Sequence, residues 1–280
     1  MLEGWGLRKI MRFKIAIAQA DSKSGDRAGN LRRAEASIKT AAEKGARIVL
    51  FPELYLTGYF LGPKLRELSE PPCGPSLRKV SRQAKEEQIA IALGFVERGK
   101  RSPRIYNSLA IFDPEDGLLG IQRKVHLCRG EKGFFTPGQD VSVFETEFGK
   151  VGLMICYDMY FPELPRLLAL EGAQLLLVSS ADWKPWQDTA HTLARARAIE
   201  NELFLAYCNR VGSEGRLRFF GRSCLIDPWG RIVAGASEAE RLILAEVDYD
   251  SIKRRRSDIN YILDRRPQAY RIKSRKYPVA

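Results

Sequence analysis

No hydrophobic run in these 280 residues approaches the roughly 20 positions that a membrane-spanning helix requires, because charged side chains interrupt each one early. Histidine is nearly missing, with His126 and His191 the two copies. That scarcity leaves little material for a zinc site and few ways to assemble a Cys–His or Ser–His–Asp arrangement. The five cysteines, Cys73, Cys128, Cys156, Cys208 and Cys224, are odd in number, widely spaced and free of any C-x-x-C pair. A secreted disulfide framework is therefore disfavoured, and free thiols in a reducing compartment fit better. The first residues, MLEGWGLRKIMRFK, hold no apolar core of signal-peptide length, so the expected location is the cytoplasm. Internal repeats, low-complexity tracts and linker-like stretches are also missing.

What the chain does contain is an ordinary globular composition, 45% apolar and 29% charged, which argues against disorder. At this length one large core needs neither disulfide nor metal staples. The unusual figure is the net charge of +12, from 46 Lys and Arg against 34 Asp and Glu. Residues 251–280 hold 10 Lys/Arg and 2 Asp/Glu, which is +8 of that total. The expected organisation is an N-terminal extension (1–11), a main domain (12–250), and a basic arm (251–280) packing on the domain or on a partner subunit. The run Lys253-Arg254-Arg255-Arg256 offers phosphate contacts, which makes a basic nucleic-acid-binding module the non-enzymatic alternative. Tyr261, Tyr270 and Tyr277 are interspersed, but no nucleic-acid motif accompanies them, and a solvated or subunit-contacting arm is the simpler reading.

Along the chain, FKIAIAQA (13–20) alternates as a strand does. Leu31, Ala34, Ile38 and Ala41 then recur at helical spacing over 30–46, with Gly45 closing the segment as a C-cap, and RIVLF (47–51) reads as a covered strand. Helices are expected near 75–88, 162–171 and 186–200. Strands are expected at 89–97, 107–113, 118–124, 151–155, 174–180 and 203–209, with short ones near 221–227, 231–235 and 241–247. Strand–helix–strand units mixed with directly joined strand pairs indicate an α/β chain with mixed sheets.

Three segments place a reactive group just past a predicted strand, where α/β proteins present side chains into a crevice. Glu53 follows RIVLF, Lys124 and His126 follow the strand near 118–124, and Cys156 follows VGLMI. Cys156 stands between a buried strand and a helix opening at Pro162, the setting of a nucleophile elbow whose helix dipole favours an anion. A thiol of pKa about 8.5 is only a few per cent thiolate at neutral pH, so it needs a base or a cation nearby. His126, His191 and a desolvated Glu53 are the candidate bases. Lys124 is a candidate oxyanion partner.

At these residues the chain resembles the nitrilase or carbon–nitrogen hydrolase superfamily. The segments FPELYLTGY (51–59), RKVHL (123–127) and ICYDMYFPE (155–163) carry the resemblance, supported by EKGFFTPG (131–138), RARAIEN (195–201), NRVG (209–212) and DRRPQAY (264–270). It covers about residues 12–271. The resemblance implies a four-layer α-β-β-α sandwich, a homodimer or higher homo-oligomer, and no metal or organic cofactor. It implies Glu53 as general base, Lys124 as oxyanion holder, Cys156 as nucleophile, Glu131 as a second orienting glutamate and the Tyr157 N–H as an oxyanion donor. Cys-Tyr-Asp at 156–158 is similar to the amidase branch, where true nitrilases usually carry Cys-Trp-Glu. A small-molecule amide is thus the expected substrate, with N-carbamoyl amides the nearest rival and nitriles less favoured. Tyr59, Phe60, Trp183 and Trp186 are candidate pocket aromatics, and no arginine stands out as a carboxylate clamp.

Overall fold

The structure, a computed structural model, describes residues 11–100 and 103–269. In chain order the first half runs β1 (Arg12–Gln19), α1 (Arg27–Glu43), β2 (Ala46–Leu50), α2 (Lys64–Leu68), α3 (Pro75–Glu87), β3 (Ala90–Arg98), β4 (Ile105–Asp113) and β5 (Gly117–Arg123). The second half runs β6 (Val143–Thr146), β7 (Gly149–Ile155), a 3₁₀ turn (Cys156–Tyr160), α4 (Glu163–Leu170), β8 (Leu175–Ser180), α5 (Gln187–Asn201), β9 (Phe204–Asn209), β10 (Val211–Glu214), β11 (Leu217–Phe220), β12 (Cys224–Ile226), β13 (Ile232–Gly235), β14 (Arg241–Asp248) and α6 (Asp250–Asp258).

Period-two alternation decides the layering. In β1, Ile15 and Ile17 point between two sheets, while Ala16 and Ala18 point outward to α1 and α3. The first sheet has the order β14-β1-β2-β3-β4-β5, the second β13-β12-β9-β8-β7-β6. Each is parallel at its centre, β1 to β2 to β3 and β7 to β8 to β9, and antiparallel at its flanks. Ile48, Leu50, Leu109 and Ile111 of the first sheet meet Val151, Leu153, Leu175 and Leu177 of the second. Leu31, Ile38 and Val80 cover the outer face of the first sheet, and Leu164, Leu168, Ala194 and Ala198 cover that of the second. The result is the expected four-layer α-β-β-α sandwich.

The helix expected over 30–46 runs over 27–43, and Gly45, expected to close it, follows the Lys44 cap with a positive φ of 77° before β2 begins at Ala46. Short elements with little periodicity were missed: α2, β6, the β10–β11 hairpin and α6. Residues 250–258, expected at the start of a basic arm, form α6, whose Ile252 enters the central core. Each cation of the 253–256 run faces a carboxylate. Lys253 meets Asp250 at 3.0 Å, Arg254 meets Asp248 at 3.1 Å, and Arg255 and Arg256 approach Glu202 at 3.7 and 3.8 Å. Tyr270 and Tyr277 lie outside the described residues. No helix among the described residues is long and apolar enough to cross a membrane.

Candidate active site

The segment after β2 is held by backbone contacts from both sheets. The Phe51 N–H donates to Ala92 O at 2.9 Å, and the Glu53 N–H reaches Ser180 O of β8 at 3.4 Å. Leu54 then adopts φ +50°, turning the chain sharply behind Glu53. Strand β3 passes so close that a Cβ on Gly94 would stand 2.5 Å from Pro52 O and 2.7 Å from Leu54 N. Only glycine fits there.

Glu53 is fully enclosed, as is Lys124, which follows β5 directly. The Lys124 Nζ donates to Glu53 Oε1 at 2.7 Å and lies 2.9 Å from both Oε1 and Oε2 of Glu131. Asn107, inside β4, donates through Nδ2 to Glu53 Oε1 at 2.6 Å and to Glu131 Oε1 at 2.9 Å. The remaining carboxylate oxygens take backbone donors, Ala181 N–H on Glu53 Oε2 at 3.0 Å and Cys128 N–H on Glu131 Oε2 at 2.9 Å. Two buried anions on one cation are tolerable only with donors on every face, and this cluster supplies them. The Lys124 backbone is fixed too, its N–H on Asn107 O and its carbonyl accepting from Gly138 N–H, both at 2.8 Å.

The two glutamates are pushed apart. Burial lifts Glu53 from its ordinary 4.5 to about 7, against the opposing charge of Lys124. Glu131 feels burial as well, but Lys124 and the Cys128 N–H outweigh it and hold its carboxyl below the ordinary value. Burial pushes Lys124 down, but the charges of Glu131 and Glu53 outweigh it and hold it well above its ordinary value. Carboxylates separated in this way divide naturally into a proton carrier and a fixed anion.

Cys156, directly after β7, takes a left-handed conformation, φ +46°, which is rare for a residue with a side chain. This is the elbow expected from sequence, with one difference: a 3₁₀ turn that begins at Cys156 itself stands between β7 and α4, which begins at Glu163. Asp158 ties the elbow to the lysine segment. Its carboxylate accepts from Ile155 N–H at 3.2 Å and His126 N–H at 2.8 Å, with His126 Nδ1 at 3.0 Å. The His126 ring also stacks on Phe161 at 3.8 Å. His126, expected as a possible base, is thus taken by Asp158. His191 lies edge-on to Tyr207 at 5.9 Å, pushed below its ordinary pKa by burial and by Arg222. Glu53 is the candidate base left at the buried cluster.

The Cys156 thiol donates to Asp182 Oδ1 at 3.5 Å, and Asp182 Oδ2 accepts from the Tyr207 hydroxyl at 2.7 Å. Burial first, then the charges of Asp182 and Glu53, push the thiol well above its ordinary value, so the resting sulfur is protonated. Neither Asp182 nor Asn107 was marked from sequence. Asn107 is a lone amide inside the apolar strand IYNSLAIFD, a signal that was there to be read; Asp182 follows the strand end VSSA with no spacing to flag it.

A cavity of about 380 Å³ opens over Cys156. Of the residues expected there, Tyr59, Tyr157, Trp183 and Trp186 line it, joined by Cys128, Arg129, Tyr160, Asp182 and Thr189. The Tyr59 hydroxyl lies 3.3 Å from Cys128 Sγ, and its ring meets Trp183 edge-on at 6.2 Å. Phe60 is exposed at 46% and does not line the cavity, although its ring contacts Trp183 at 6.4 Å. Among the described residues no group of three or more His, Cys, Asp or Glu is arranged to hold a metal ion.

Comparison with known proteins places these features among relatives. The carbon-nitrogen hydrolase family profile matches residues 14–257. A probable nitrilase of Schizosaccharomyces pombe is 37% identical over 93% of this chain and 98% of its own length. An (R)-stereoselective amidase of Pseudomonas sp. is 36% identical over 91% and 92%. Among solved structures, an amidase from Nesterenkonia sp. AN1, carrying the acetamide moiety of fluoroacetamide covalently added at its active-site cysteine, superposes with a TM-score of 0.83. It is 27% identical, covering 92% of this chain and 95% of that one.

Proposed function

This chain belongs to the carbon-nitrogen hydrolase family and is a hydrolase of that class, and from that premise we propose that it is an amidase working through a Cys156 acyl-enzyme. The observation that carries the proposal is the Glu53–Lys124–Glu131 cluster, in which one carboxylate is lifted to about 7 and the other is held ionised by the same ammonium.

The reaction runs in two halves. Glu53 takes the thiol proton as sulfur bonds to the amide carbon, so the high resting pKa of Cys156 is met by transfer during attack rather than by a standing thiolate. The Lys124 ammonium and the Tyr157 N–H receive the oxyanion. Glu53 then delivers its proton to the departing nitrogen, the C–N bond breaks and a thioester remains. Water attacks the thioester while Glu53 accepts its proton. The C–S bond breaks, and the proton returns to sulfur. Glu131 stays anionic throughout and holds Lys124 in place.

The test is ammonia or amine release across a panel of amides, N-carbamoyl compounds and nitriles, with intact-mass detection of an acyl adduct. The expected result is amide turnover, an adduct lost with Cys156→Ala, and a fall on the order of 10³-fold or more for Cys156→Ala and Glu53→Gln. Near-normal turnover by either variant, or turnover of nitriles alone, overturns the proposal.

A further inference from the structure

Asp182 has no part in the reaction just described, yet its carboxylate lies 3.5 Å from the nucleophilic sulfur and lines the cavity that opens over it. It is 6% exposed. An anion at that place works against the chemistry. The attacking sulfur gains negative charge, and a neighbouring carboxylate opposes that gain. Holding the Tyr207 hydroxyl does not explain it, since a neutral carbonyl would serve as acceptor equally well. The donors that approach it, the Cys156 thiol, the Tyr207 hydroxyl and the hydroxyls of Tyr160 and Ser180, are all neutral and leave its charge without a counter-ion among the described residues. The surrounding wall is aromatic, with Tyr157, Tyr160, Trp183 and Trp186, the kind of surface on which a cation is stabilised. Arg129, the cationic side chain in the lining, is exposed to solvent, whereas Asp182 is buried beside the sulfur.

Resting on the amidase reading, we infer that Asp182 recognises a substrate ammonium carried close to the scissile carbonyl, so that the preferred substrates are amides of amino acids with a free amino group. Distance sets the class. The acyl carbon must reach bonding distance of Cys156 Sγ, and Asp182 Oδ1 is one hydrogen bond from that sulfur, so the cation belongs on the first or second carbon of the acyl group. Binding such a cation also neutralises the charge that opposes thiol ionisation, which couples recognition to attack. Burial pushes the Asp182 carboxyl above its ordinary 3.8, with the Tyr207 and Cys156 hydrogen bonds and the charge of Lys124 opposing, and an incoming ammonium adds to that opposition.

Alaninamide and isobutyramide test this, because they share a shape and differ by an ammonium in place of a methyl group. The wild-type enzyme is expected to show a kcat/KM on the order of 10²-fold higher for protonated alaninamide. In Asp182→Asn that ratio is expected to collapse towards one, the loss falling mainly on the charged substrate. A wild-type ratio near one, or a ratio unchanged in Asp182→Asn, overturns the inference while leaving the amidase reading in place. If neither amide nor any other amide of the panel is hydrolysed, the amidase reading fails and this inference fails with it.

Discussion

Two buried polar clusters meet at Cys156, and they are built on opposite plans. The one drawn from the first sheet and the loop after it, with Glu53, Asn107, Lys124 and Glu131, places a cation between two anions and satisfies nearly every carboxylate oxygen with its own donors. The one drawn from the second sheet, with Cys156, Asp182 and Tyr207, holds an anion bound by a thiol and a phenol and no cation within hydrogen-bond reach. The first is closed on itself, as suits groups that must keep one geometry through a reaction. The second lacks a counter-ion among the described residues and faces the cavity.

The largest blow to this contrast should come from Lys124→Met. Removing the cation strands two buried carboxylates, and an expected loss of about 3–5 kcal/mol in denaturant unfolding should accompany the loss of activity. A variant that unfolds like the wild type would mean that the cluster is not as closed as its geometry indicates. Gly94→Ala acts on placement alone. A methyl group forced against Pro52 O and Leu54 N must move the Glu53 segment, and a displacement of that kind is expected to cost on the order of 10²-fold in kcat.

The smallest and most informative change is Asn107→Ala. With Glu53 at about 7, its ionised form, the one that accepts the thiol proton in the proposed reaction, is lost as pH falls. The wild-type kcat/KM should therefore drop about tenfold per pH unit below that value. Asn107 donates to that carboxylate and favours the ionised form, so its removal should raise the Glu53 pKa further and move the acid limb to higher pH. The accompanying stability loss is expected to be about 1–3 kcal/mol. A limb that stays in place would show that Asn107 does not tune the base.

How much of this was legible in the chain differs between the two clusters. Glu53, Lys124 and Cys156 each follow an apolar run that can be read as a strand, so their place at strand ends follows from hydrophobic patterning. Helix α6 was obscured because its basic run outweighs the one apolar residue it buries, Ile252, and because Glu202, the anion facing Arg255 and Arg256, lies about fifty positions earlier. The short hairpin β10–β11 carries too few residues for a period to emerge.

The sequence by itself determined the longer strands and helices, an α/β chain with mixed sheets and the three segments that bring reactive groups to strand ends, while the four-layer packing was implied by the family resemblance. Which of two histidines and a glutamate is left as the candidate base, which carboxylate is lifted and which is held down, and that Asp182 reaches the Cys156 thiol were decided only by the tertiary structure. The reason is physical. A residue's type sets what it is able to do, but the ionisation of a carboxylate depends on how much water burial removes and on which charges stand within a few ångströms. Those distances exist only once the two sheets have packed.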